Sequence, residues 1–245
     1  MISGNFADGV RTVVPIGRLE LIYSPEPWLF SIKRRAEIDA HFERARVGRP
    51  GIWNGPVLVM HRHRVDGDTL EGAFLQTDFA SFLAWRDWGF PDAGVINCFS
   101  MGALRTSDGA WLMGVMAPHT AGAGKIYFPA GTPDPGDIVG GTVDLAGSVI
   151  REVAEETGLG TGDFTVASGW YGVIDGPRIA LMKVLQAREP AEALRARIVD
   201  YLAAEAEPEL ADIRIVRSAR DFDPMMPRFV TAFLDHTGFS SLTRS

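Results

Sequence analysis

The chain has 245 residues, 46% of them hydrophobic and 22% charged, which supplies a globular core and excludes wholesale disorder. Lys and Arg number 24 against 31 Asp and Glu, a net charge of −7, which argues against a protein that coats nucleic acid or anionic lipid through a basic surface. The single cysteine, Cys98, rules out an intrachain disulfide and a multi-cysteine zinc site.

Met1 to Arg11 shows no charged segment followed by an apolar run, so no signal peptide is read there. No window approaches the ~18 apolar residues of a membrane span, and the expected compartment is the cytoplasm. Val13–Tyr23 reads as extended and is stopped by Pro25-Glu26-Pro27; residues 32–45 place Ile38, His41 and Phe42 at helical spacing. Residues 48–56 form a Gly/Pro-rich loop. Residues 57–64 and 70–77 read as a hairpin around Asp66-Gly67, and 80–88 as a short amphipathic helix ended by Gly89 and Pro91. The next strands, 95–105 and 110–116, flank Asp108-Gly109; Cys98 within the first reads as a small buried hydrophobe. A strand at 126–128 leads into a long turn region, 129–141, and then the strongest helix of the chain, 143–157, stopped by Gly158. A third hairpin (164–174 with 179–185), a helix at 191–204, a strand at 213–216 and a closing helix at 229–236 complete the chain. Mixed strands and helices predict an α/β (α+β) sandwich, with a soft boundary near residues 88–94.

The sharp chemical signal lies between Gly131 and Leu159. Each helical residue advances ~100°, so Glu156 falls ~40° from Glu152 and Glu155 ~60° to the other side. Ala146, Val149, Ile150 and Val153 fill the neighbouring sector and are expected to bury the helix. Three carboxylates beside an apolar stripe repel one another unless a cation neutralises them, and hard divalent ions take oxygen ligands. The plainer reading is a solvated acidic face in which Arg151 and Glu155 pair at i,i+4. Upstream, the strand ending in Phe128-Pro129-Ala130-Gly131 and the turn bearing Asp134 and Asp137 make a strand–turn–helix able to cradle phosphate and metal.

These residues resemble the signature of the Nudix hydrolases: Gly, five residues, Glu, seven residues, then REUxEExGU with U aliphatic. Residues 151–159 (REVAEETGL) match in full. Asp137 stands where that pattern has Glu, and Ile138–Ile150 makes a spacer of thirteen residues instead of seven, expected to lengthen the loop before the helix. The resemblance implies a Nudix-type α/β/α sandwich with a mixed sheet over residues 94–245, preceded by an N-terminal α/β extension at 1–93. The longer loop and Pro27-Trp28-Leu29-Phe30 look similar to the UDP-sugar diphosphatase branch.

The activity implied is metal-dependent cleavage of the diphosphate linkage in a nucleoside diphosphate joined to another group. Glu152, Glu155 and Glu156 would be catalytic and bind Mg²⁺ or Mn²⁺, Arg151 would orient a carboxylate or meet substrate, and Asp137 would contribute structurally. A further Glu is expected from Glu205, Glu207 and Glu209, with Glu209 preferred; a solvated acidic loop is the competing reading. Lys125 is a candidate phosphate contact, against a plain surface lysine. The implied partner is a small nucleoside diphosphate derivative, with no nucleic acid and no membrane; homodimers are common in that family. His119 reads as structural, His61 and His63 as a metal pair lacking a third ligand, and Trp53, Trp85, Trp88, Trp111 and Trp170 as core or base-stacking rings. Residues 120–125 lack the spacing of a P-loop. The alternative to an enzyme is a Nudix-fold nucleotide-binding module with weak turnover, kept open by Asp137 and the long spacer.

Overall fold

The computed structural model describes residues 12–48 and 51–239. The signal-peptide reading of residues 1–11, and part of the loop expected at 48–56, lie outside the described residues. In chain order the elements are β1 (Thr12–Ile16), β2 (Arg18–Tyr23), α1 (Leu29–Lys33), α2 (Arg35–Val47), β3 (Pro56–Asp66), β4 (Thr69–Asp78) and α3 (Phe79–Asp87). There follow β5 (Asn97–Arg105), β6 (Trp111–Met116), β7 (Ile126–Tyr127), β8 (Ile138–Val139), β9 (Thr142–Val143) and α4 (Leu145–Thr157). The chain continues through β10 (Phe164–Val166), β11 (Trp170–Asp175), β12 (Arg178–Ala187), α5 (Ala191–Ala204), β13 (Leu210–Val216) and α6 (Arg228–Thr237). No helix among the described residues is long and apolar enough to cross a membrane.

The fold is mixed α/β, as the sequence predicts. The larger sheet runs β1-β11-β12-β5-β6-β13, with β10 on β12 and β7 on β6; β12 and β5 are parallel and the other pairs antiparallel. The smaller runs β3-β4-β2-β9-β8, with β2 and β4 parallel. Side chains alternate faces along each strand, and the cores follow that parity. Cys98 and Leu104 of β5 pack with Val149 and Val153 of α4, whereas Met101 and Ala103 pack with Val230 and Phe233 of α6. Val57, Val59 and Leu75 of the smaller sheet face α2 and α3, beside Ile38, Phe42 and Trp85.

Four readings change. The extended stretch 13–23 is two strands that part at Gly17, where the Gly17 and Arg18 amides both donate to the Asp68 carbonyl (2.7 and 3.2 Å) and a Cβ would run into the Asp68 carboxylate. β1 then joins the larger sheet and β2 the smaller. The lengthened spacer is not a plain loop. It folds into the β8–β9 hairpin, with Gly140 and Gly141 both at positive φ (58° and 83°) in the two-residue turn, and β9 pairs with β2. The helix at 79–87 buries Ala80 to Trp85 without interruption, because α2 and the smaller sheet enclose it. The stretch 164–174 breaks at Gly169 (φ 66°), where a side chain would press on the Ile16 carbonyl. Strands thus cross residue 93 in both directions: β1 forward into the larger sheet, and β8–β9 back against β2.

Candidate active site

α4 is set by its ends and its buried stripe. The Asp144 carboxylate caps the amide of Gly147 (2.9 Å), and Gly158 closes the helix in the left-handed conformation (φ 70°). Val149 and Val153 are buried at 1% and 0% exposure, and Val153 lies against Gly102 of β5 so closely that a Cβ there would collide with it. That contact fixes the helix's rotation and aims its acidic side at a cleft lined by Glu152, Glu155, Glu156, Leu202, Glu205, Glu207, Pro208 and Glu209.

The carboxylates are not equivalent. Glu155 is 63% exposed, whereas Glu152 is 17% exposed and Glu156 is buried. One oxygen of Glu156 accepts the Ala130 amide (3.0 Å); the other, Oε2, is buried without a partner. Burial pushes Glu156 up to about 8, against the pull of the Ala130 amide and with help from Glu209, Glu152 and Glu155. Burial likewise pushes Glu152 up to about 7, opposed by Arg151 and reinforced by Glu155 and Glu209. Interacting carboxyls titrate as a set.

Arg151 sits beside these groups without lining the cleft. Its Nη2 lies 2.9 Å from Asp137 Oδ1 and 3.3 Å from Glu152 Oε1, and its Nε is 4.0 Å from Glu155. Asp137 is buried, and its other oxygen accepts the Asp134 amide (3.0 Å), so the turn clamps Arg151, which in turn orients Glu152. Gly131 completes the arrangement: a Cβ there would overlap the Glu152 carboxylate. Gly131→Ala is therefore expected to displace Glu152 and lower kcat by about 10–100-fold. Its melting temperature should move by under about 3 °C; steady-state kinetics beside a thermal melt checks both.

Glu209 shares the cleft, its backbone carbonyl held by the Ala117 amide (2.8 Å). Glu205 and Glu207 line it too. Lys125 and His119 are exposed in the 117–125 loop, outside the cleft lining. His61 is the residue skipped in the β3 register between Met60 and Arg62, with His63 back in register beyond it, and among the described residues no group of three or more His, Cys, Asp or Glu is poised to hold a metal. Trp85 and Trp111 are buried in aromatic clusters, while Trp53 is 75% exposed.

Sequence reasoning passed over Tyr127. It is mostly buried, with its hydroxyl against Gly122, where a Cβ would come within 2.6 Å, and burial together with Glu156 and Glu209 raises its pKa. The signal was present in β7, whose buried neighbours Ile126 and Phe128 leave Tyr127 on the opposite face.

The cleft offers oxygen donors only, one of them buried without a partner, which is the chemistry hard divalent ions take, although no three of these carboxylates are poised here to hold one without waters or substrate phosphates completing the shell. A folded-state pKa raised above the unfolded value means the native fold favours the protonated carboxyls. Their contribution is complete below the unfolded value near 4.5 and is lost as pH rises through about 7 to 8. The melting temperature of the protein in EDTA should fall by on the order of 5 °C between pH 5 and 8.5, and Mg²⁺ or Mn²⁺ should reverse the fall. Differential scanning calorimetry across that range checks it; a flat profile contradicts the burial of these carboxyls.

No family model matches the chain, and no curated protein does. Solved structures similar to it include a Nudix hydrolase from M. smegmatis, RenU, 17% identical over 60% of this chain and 88% of that one, with a TM-score of 0.38. A Nudix hydrolase from Nitrosomonas europaea is 19% identical over 59% and 90% (TM-score 0.39). The MutT protein from Methanosarcina mazei Go1 is 17% identical over 58% and 91% (TM-score 0.38).

Proposed function

We propose that this chain is a Nudix-type, divalent-metal-dependent hydrolase that cleaves the diphosphate linkage of a nucleoside diphosphate derivative. The observation that carries the reading is Glu156: buried at 5% exposure, tied on one side to the Ala130 amide, with Oε2 unpartnered, at a cleft shared with five other glutamates. The REVAEETGL match, with Arg151 clamped by the substituted Asp137, supports it. Asp137 reaches Arg151 while its other oxygen accepts the Asp134 amide, and the long spacer folds against β2, which weakens the case for a binding-only module. On this reading residues 94–245 are the hydrolase unit and 1–93 an extension laced to it by the exchanged strands.

Glu152, Glu156 and Glu155 would hold Mg²⁺ or Mn²⁺. When bound, the ion offsets phosphate charge and makes water a usable nucleophile near neutral pH. Arg151 keeps Glu152 aimed, and the Ala130 amide fixes one oxygen of Glu156 and leaves the other without a partner. Glu209, with Glu205 and Glu207 beside it in the cleft lining, would take the proton of the attacking water. The test is product formation from ADP-ribose, NADH, CoA, UDP-sugars and dinucleoside polyphosphates with Mg²⁺ or Mn²⁺. Cleavage of at least one, abolished by EDTA, is expected; ligand binding without any cleavage favours the module.

A further inference from the structure

The acidic cleft opens between α4 and the end of α5, and the strand beneath that gap is β7. α4 lies on β5, where Val153 meets Gly102, and α5 lies on β13, its Leu194, Ile198 and Leu202 packed with Leu210 and Ile213. β7 runs between β5 and β6: Tyr127 is opposite Gly114 of β6, and the chain just beyond is held on β5 by the Gly102 amide, which donates to the Pro129 carbonyl (2.9 Å). Ile126 and Phe128 pack toward α6, so Tyr127 is turned to the side of α4 and α5.

Tyr127 stands between the two halves of the site. Three residues on, the Ala130 amide holds Glu156 (3.0 Å). On the other side, Gly114 leaves room for the side chain of Leu210, the residue after Glu209, which a Cβ at Gly114 would strike. The Tyr127 hydroxyl lies against Gly122, and among the described residues no hydrogen bond engages it. Gly122 belongs to a turn closed on itself. The Lys125 amide donates to the Gly122 carbonyl (2.9 Å), the Ala123 amide to the Thr120 carbonyl (3.3 Å), and the Thr120 amide and hydroxyl to the Ala117 carbonyl (3.1 and 2.9 Å). Ala117 is also the anchor of Glu209, whose carbonyl accepts the Ala117 amide (2.8 Å). A shift of the turn therefore passes to Glu209 through Ala117.

We propose that Tyr127 is a positioning residue for the hydrolysis: its ring props the 117–124 turn, and through Ala117 the turn keeps Glu209 at its working distance from Glu156. The role rests on the proposed hydrolase; the contact with Gly122 does not. Misplacing a reacting group by about 1 Å can cost on the order of 10²-fold in rate, so such a prop contributes to turnover without touching substrate. The metal-binding carboxylates are held by other means, Glu152 by Arg151 and Glu156 by Ala130, and should not register a change at the turn.

The test is a double-mutant cycle on the full chain, read by kinetics on whichever diphosphate is cleaved and by calorimetric titration of Mn²⁺, with thermal melts to show that each variant is folded. Gly122 has no positive φ, so Gly122→Ala adds only a methyl, driven into the Tyr127 hydroxyl. It should lower kcat at least about tenfold, change KM by less than about threefold and leave Mn²⁺ affinity within about twofold. Tyr127→Phe, which keeps the ring, should hold kcat within about threefold of wild type. Added to Gly122→Ala it should restore kcat to that level, because the methyl then meets only the ring, at 3.5 Å. Tyr127→Ala, which removes the prop, should lose kcat as Gly122→Ala does. Gly122→Ala as active as wild type, or a loss that Tyr127→Phe does not repair, overturns the role. So does a loss of Mn²⁺ affinity equal to the loss of kcat, which would put the effect on the metal-binding carboxylates. Wild type that cleaves no diphosphate sinks the hydrolase reading and this role with it, whereas cleavage with additive variants sinks the role alone.

Discussion

Replacing Glu156 by Gln is expected to cut turnover by on the order of 10³-fold while making the metal-free protein more stable at pH 8. The two effects have one cause. Glu156 is buried, and one of its oxygens has no partner, so at pH 8 the native fold pays for a half-compensated charge that Gln does not carry. Gln keeps nearly the same volume and can still accept the Ala130 amide. It gives up a charged ligand worth several kcal/mol toward offsetting phosphate charge, and about 4 kcal/mol corresponds to 10³ in rate. Kinetics and thermal melts on one preparation check it. A variant both less stable at pH 8 and fully active would mean that Glu156 is a structural residue held by Ala130 and nothing more.

Val153→Asp should have the largest effect on stability. Val153 is 0% exposed and packs on Gly102 within the cluster that joins α4 to the larger sheet. A carboxylate there has no counter-ion and no room to reach water. The expected cost is about 3–5 kcal/mol, out of the 5–15 kcal/mol typical of a whole domain. Urea unfolding should show a much lower midpoint, or the chain should fail to fold; an unchanged midpoint would mean that α4 buries a different face.

What was legible in the sequence was local. α4 carries its own start, its stop at Gly158 and its apolar stripe, so both the helix and the convergence of Glu152, Glu155 and Glu156 could be read from spacing. The hairpin turns at Asp66-Gly67 and Asp175-Gly176 were legible for the same reason: glycine supplies the positive φ such turns need. What escaped depends on residues far apart in the chain. Nothing near Gly17 states that β1 will pair with β11 while β2 pairs with β4, and nothing in Gly140-Gly141 names β2 as the partner of its hairpin. The partner-less oxygen of Glu156 and the place of Tyr127 are likewise products of tertiary packing. Lys125, attractive in sequence because it follows a glycine-rich stretch, lies outside the cleft lining.

The most direct measurement is a calorimetric titration of Mn²⁺ into the full chain at pH 7.5, wild type beside Glu156→Gln. Saturable binding by wild type, weakened at least about tenfold in the variant, is the predicted result. Absence of Mn²⁺ binding by wild type, or equal binding by the two proteins, would contradict the claim that these glutamates gather a cation at the cleft.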